Sequence, residues 1–252
     1  MKKYLATILI LAVVYLYLPH VHKVYATTNS VYTSVDGIAQ RNGLGDQTFA
    51  TIRAGAGTAA GTRGDPDLVM QMVSSPNSGQ WRELNGRSIF CFDVKTPMGT
   101  EAATAATFSL FGTSADNRIT GQSVVIDKPN PASFTSAPGT SDYNVANWDG
   151  VEQSSTRIGV ASWSTTGYND FTINATGISN INTAEQYVCF GARASGDFDD
   201  SEPTWSADVA FSVRASATSH TGTSQDPVLV IISSVAAPAV VPENTILFLD
   251  FI

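Results

Sequence analysis

Residues 197–202 read Asp-Phe-Asp-Asp-Ser-Glu, the densest run of chemistry-bearing side chains in the chain. Calcium takes roughly six to eight oxygen ligands, usually carboxylates and carbonyls of a flexible loop. Asp197, Asp199, Asp200 and Glu202 could supply several of them, so calcium is the one cofactor the residues suggest. The spacing is not that of an EF-hand, and no glycine stands where its sharp turn needs one. The competing reading is a solvated acidic loop between two strands. A second constellation is aromatic. Tyr143, Trp148, Trp163 and Tyr168 lie among Asn, Asp, Ser and Thr, as side chains that stack on sugar rings do. The same four would serve equally as caps on a core.

Catalytic chemistry is thin. Beyond the first 26 residues the chain keeps one histidine, His220, in a Ser/Thr-rich stretch without a G-x-S-x-G motif. The many acids offer no preferred pair for glycoside hydrolysis, which needs two carboxyls at a defined separation. Zinc-type spacing, a phosphate loop and a basic stripe are all missing. Asn174-Ala175-Thr176 fits a glycosylation sequon. The expectation is a protein that is not an enzyme.

The elements that must position these residues begin after a targeting segment. Residues 1–26 have a charged start (Lys2, Lys3), an apolar stretch over residues 4–18 and Val24-Tyr25-Ala26 at the break, the pattern of a cleaved signal peptide. The apolar run is short of the about 20 residues a bilayer span needs. Removing it leaves 11 of the 14 basic residues against 22 acidic ones, a net charge of −11. That balance argues against nucleic acid or an anionic membrane surface as partner. Cys91 and Cys189 are the only cysteines. Each lies on the strand face opposite its Phe neighbours, so a disulfide is feasible if the strands are adjacent, with two buried thiols as the alternative.

Residues 87–111 are the organising stretch. Phe90, Phe92 and Val94 alternate with Ile89, Cys91 and Asp93; Phe108 and Leu110 alternate with Thr107, Ser109 and Phe111. Period-two alternation predicts two strands with one face on a core, and residues 96–100, with Pro97 and Gly99, predict the turn between them. Further strands are expected at 47–53, 68–73, 124–126, 157–163, 171–173, 186–193, 207–214 and 228–232. An early edge strand is expected near Val31 and Tyr32, followed by a turn at Asp36-Gly37. Loops are expected at 54–66 and 74–86, a long Pro-rich crossing connection at 128–143, and a short helical turn at 174–185. The fold class is therefore all-β: one antiparallel β-sandwich over residues 27–232. The tail at 233–252 ends in TILFLDFI. It fits a truncated anchor or sorting segment that would tether the protein to a membrane, and also a final strand or partner-binding strip.

RSIFCFDV, the turn with Pro97 and AATAATFSLFG, followed by GYNDFTINATGISNI, QYVCFGARASGDFDD and DPVLVI, together resemble DNRLRE-type (disaggregatase-related) secreted jelly-roll modules, grouped with carbohydrate-binding modules. The resemblance implies a jelly-roll sandwich, secreted or attached at the cell surface, that binds polysaccharide or another surface component or mediates adhesion without catalysis. A structural surface or assembly protein is the alternative reading, and a polysaccharide lyase or hydrolase a distant one.

Overall fold

Phe108 sits at the centre of the interior because the two organising strands face each other across it. The computed structural model describes residues 26–42, 45–61, 67–218 and 224–235. Nearly all of the leader segment, His220 and most of the C-terminal tail lie outside them. Phe108 meets Phe90 at 5.2 Å, Phe92 at 5.6 Å, Phe190 at 6.0 Å and Phe171 at 6.3 Å between ring centroids. Such edge, tilted and stacked contacts add to the stabilisation from burial alone.

Two antiparallel sheets pack on this aromatic centre. One layer is built on β6 (Ala102–Asn117), flanked on one side by β12 (Val228–Ser234) and then β11 (Ala210–Ser216), and on the other by β9 (Tyr168–Thr172). β1 (Ala26–Tyr32) pairs with β12, and β4 (Asp67–Ser74) with β11. The second layer is built on β5 (Trp81–Asp93), with β2 (Val35–Arg41) on one side and β10 (Tyr187–Ala194), β7 (Ser123–Asp127) and β8 (Ile158–Gly159) on the other; β3 (Ala59–Gly61) pairs with β2. The layers join where β4 pairs with the first residues of β5. There Gly86 is the extra residue of a bulge opposite Ala39 and Gln40, at φ 90°, and a Cβ on it would meet the Val69 carbonyl. Only glycine tolerates both conditions, and the bulge lets one strand serve two neighbours.

Several expected elements differ. Residues 47–53 do not form a strand: Phe49–Ala54 is a helix, α1, whose cap Thr48 accepts from the Thr51 N–H at 3.3 Å. Phe49 and Ile52 are its buried residues, three apart, which is helical and not strand spacing. The expected loop at 74–86 gives way at Trp81, where β5 begins. Asp36-Gly37 is not a turn but lies inside β2, with Asp36 buried. Of the strand expected at 157–163 only β8 forms, followed by a 3₁₀ turn at Val160–Ser162. The Pro97 turn is the short helix α2 (Lys95–Met98), closed by Gly99 at φ 56°. The helical turn near 174 is α3 (Ala175–Thr183); its cap is Asn174, whose Oδ1 accepts from the Gly177 N–H at 3.0 Å, and Thr183 is its last residue.

Cys91 and Cys189 are directly opposed on β5 and β10 and form a disulfide. The bridge links residues 98 apart in sequence. Closing a loop of that length restricts the unfolded chain, and the double variant Cys91→Ser/Cys189→Ser is expected to lose about 2–4 kcal/mol of stability. Thermal unfolding with and without reductant checks this; identical midpoints would show that the bridge adds nothing.

Candidate functional site

The two outer faces of the sandwich differ completely. On the β5–β10 face the outward residues are covered by the connection after β7. Trp148 lies over Gly191, where a Cβ would collide with the indole, and clusters with Ile89, Cys91 and Cys189. Its Nε1 donates to the Asp142 carbonyl at 2.9 Å. Tyr143 of the same connection is also buried, with its hydroxyl donating to the Ile52 carbonyl at 2.9 Å and the Arg87 guanidinium 4.2 Å above its ring. Trp163 is buried against the main core. A ring must be exposed to stack on a sugar, so Tyr143, Trp148 and Trp163 are core residues and not platforms.

The acidic run is absorbed by the same covered face. Ser195–Phe198 forms a short helix, α4, that buries Asp197. Arg87 grips this carboxylate with Nε at 2.9 Å and Nη2 at 2.6 Å, the bidentate geometry in which guanidinium–carboxylate pairs are strongest. Arg53 approaches it at 3.5 Å and donates to the Asp197 carbonyl at 2.7 Å; Arg193 lies at 3.7 Å and pairs with buried Asp127 at 2.6 Å. Burial alone would push the Asp197 carboxyl up, but Arg87, then Arg193 and Arg53, outweigh it and hold it below the ordinary range. Asp199 pairs with Arg157 at 2.7 Å, Asp200 with Arg53 at 3.1 Å, and Glu202 accepts from the Trp81 indole at 2.7 Å. The four carboxylates are thus each taken by an arginine or an indole, with Arg53 shared between Asp197 and Asp200. Among the described residues no group of three or more His, Cys, Asp or Glu side chains is arranged to hold a metal ion. The sequon residue Asn174 is also committed, donating to the Glu152 carbonyl at 2.7 Å.

The outer face of the β6 layer is open. Tyr168, alone of the expected aromatics, is exposed there, at 38%. Its hydroxyl donates between the Asp226 and Ser224 carbonyls, at 3.0 and 3.2 Å, and Phe111 buttresses its ring edge-on at 5.4 Å. Burial, then Tyr32 and Asp226 nearby, push its phenol up, so it remains a neutral donor. Tyr32 at 44% and Ile232 at 40% are exposed on neighbouring strands of the face. Thr28, Ser30, Asp170 and Thr172 alternate outward with them, and Asp170 is the one charge in this group. Along the same layer, where β6 pairs with β11 and β11 with β4, lies an open depression of about 290 Å³, lined by Gln71, Ser114, Asp116, Arg118, Ser212 and Arg214. Sequence reasoning named none of these six. Their signal was the polar half of each alternating strand, which marks a solvated face and not a site.

Among the described residues no helix is long and apolar enough to cross a membrane. No protein-family model and no curated protein matches this chain, so the likeness to DNRLRE-type modules rests on the sequence motifs alone.

Asp197→Asn is expected to cost about 3–5 kcal/mol, because it leaves buried guanidinium groups without their counter-charge. A carboxyl depressed in the folded state contributes stability that is complete above its ordinary value of 3.8 and is lost as pH falls through the depressed value. Urea midpoints taken from neutral pH down to pH about 3 should therefore fall less steeply in Asp197→Asn than in the parent; parallel acid limbs would disprove the assignment.

Proposed function

We propose that this protein is an exported, non-catalytic β-sandwich module that binds polysaccharide at the cell surface, and that the open face of the β6 layer is where it does so. The observation that supports this best is the Tyr168 ring: exposed, with its hydroxyl tied to backbone carbonyls and its edge held by Phe111. An aromatic fixed in this way loses little freedom when a sugar ring stacks on it, and the hydroxyl-bearing neighbours supply hydrogen bonds that orient the ligand. Export is supported by the leader pattern and is compatible with the disulfide, a bond that persists in oxidising compartments. The buried charges Asp197, Arg87 and Arg193 are sealed inside the fold, away from any face a substrate could reach, which favours a binding role over a catalytic one.

A second reading, self-assembly, is favoured by β1. Among the described residues it stands at the end of its sheet and pairs only with β12, and a strand edge with free backbone groups can accept another chain.

The test is a polysaccharide-binding screen on the chain lacking residues 1–26. Tyr168→Ala is expected to weaken binding at least about tenfold, equivalent to about 1.4 kcal/mol, while Trp163→Phe leaves it unchanged. Binding should also be indifferent to a calcium chelator, since each carboxylate of the 197–202 run is bonded to an arginine or an indole. Absence of binding to any glycan by a folded protein, with concentration-dependent oligomers in its place, would replace this reading with the assembly one.

A further inference from the structure

Among the described residues Arg214 is the one cation left without a partner. It projects outward from β11 between Val213 and Ala215, which belong to the core, and it lines the depression on the β6 layer. Every other described arginine has a partner. Arg41 holds Gln47; Arg53, Arg87 and Arg193 meet at Asp197; Arg82 reaches Asp46 and Asp208; Arg157 takes Glu152 and Asp199. Arg118, the second guanidinium of the depression, is spent on Asp116, with Nη2 at 2.7 Å and Nε 3.0 Å from each carboxylate oxygen. The two described lysines donate to Asn182 and Asn180. Arg214 makes no hydrogen bond or ion pair among the described residues, although acids outnumber bases 22 to 14 in the whole chain.

Its surroundings suit an oxyanion. The lining itself holds two arginines against one aspartate; Arg118 and Asp116 cancel, and Glu83, a further carboxylate beside the lining, is engaged with Gln71, so Arg214 is the charge that faces the opening. Ser114 stands directly opposite Arg214 across the β6–β11 ladder, and Ser212 opposite Gln71 and Asp116, so hydroxyl and amide groups flank the guanidinium. Gln71 donates to Glu83 at 3.2 Å and is held in place by it. Arg214 is half-buried, which limits the solvent screening that makes fully exposed pairs weak. A planar guanidinium with free N–H groups matches two oxygens of one carboxylate or sulfate. Ser114 lies three residues along β6 from Phe111, about 10 Å at strand spacing, so one extended sugar chain could meet both Arg214 and the Tyr168 platform.

We propose that the depression is an anion subsite in which Arg214 pairs with a carboxylate or sulfate ester of a polysaccharide, making the ligand of this face an acidic sugar chain. This rests on the polysaccharide-binding reading of the same face.

The experiment compares binding of polygalacturonate, dextran sulfate and neutral dextran by the chain lacking residues 1–26, as parent, Arg214→Gln, Arg214→Lys and Tyr168→Ala. Circular dichroism and unfolding midpoints confirm the fold of each; Arg214→Lys keeps the charge and the aliphatic stem should Arg214→Gln be poorly folded. The expected result is binding of one or both charged polymers in preference to dextran, weakened by salt. Arg214→Gln should lower it at least tenfold, with Arg214→Lys in between. Preference for polygalacturonate identifies a carboxylate, and for dextran sulfate a sulfate. Unchanged binding of the charged polymers by Arg214→Gln, with Tyr168→Ala still weakened, overturns the subsite and leaves the polysaccharide reading standing. Binding of none of the three by the folded parent overturns the subsite, and the wider screen then decides the polysaccharide reading.

Discussion

Arg87 reaches from β5 to take both oxygens of Asp197, and much of the molecule is arranged so that this pair stays dry. Both side chains are sealed from solvent. The remaining Arg87 donors go to the Tyr143 and Arg53 carbonyls, which ties α4, the connection after β7 and α1 to one strand. Taking two charges out of water is costly unless the geometry is close and the leftover donors are satisfied. Here the pair supplies little that an apolar core could not, but removing either partner would strand the other. It therefore acts as a specification of which segments must lie on this face.

That specification explains the asymmetry of the sandwich. With the β5–β10 face roofed by Trp148, Tyr143 and α4, the opposite layer is left as the open sheet. The roof also takes up three of the 14 basic residues of an acidic chain, because Arg53, Arg87 and Arg193 converge on Asp197. What stays outside is a face of hydroxyls, a few aromatic and aliphatic side chains, the Arg118–Asp116 pair and Arg214, which has no partner among the described residues. The buried charge network and the open polar face thus lie on the two sides of one sheet pair.

The misread residues share a cause. Asp197 looked like a loop ligand because composition cannot show that Arg87, 110 residues away in sequence, folds onto it. Trp148 and Trp163 looked available because their polar neighbours are capping and turn residues; beside Trp148 in the roof, Asn144 accepts from the Ala146 N–H, and its polarity says nothing about the exposure of the ring nearby. The helix at Phe49 was hidden by its length, since six residues do not establish a period against the alternation of a short strand.

Local chemistry was enough for the class of the fold. The alternation of Phe90, Phe92, Phe108 and Leu110 demands strands with one face inward, whatever their partners, and the opposite placement of Cys91 and Cys189 made their pairing feasible once β5 and β10 became neighbours. Tyr168 was likewise visible as an aromatic in polar company. Which aromatics are roofed over, which carboxylates are claimed and which cation is left unpaired among the described residues were decided only by the tertiary structure. Exposure and pairing are set by strand order and by segments that return from far along the chain, and no residue carries that information in its own type or in its neighbours.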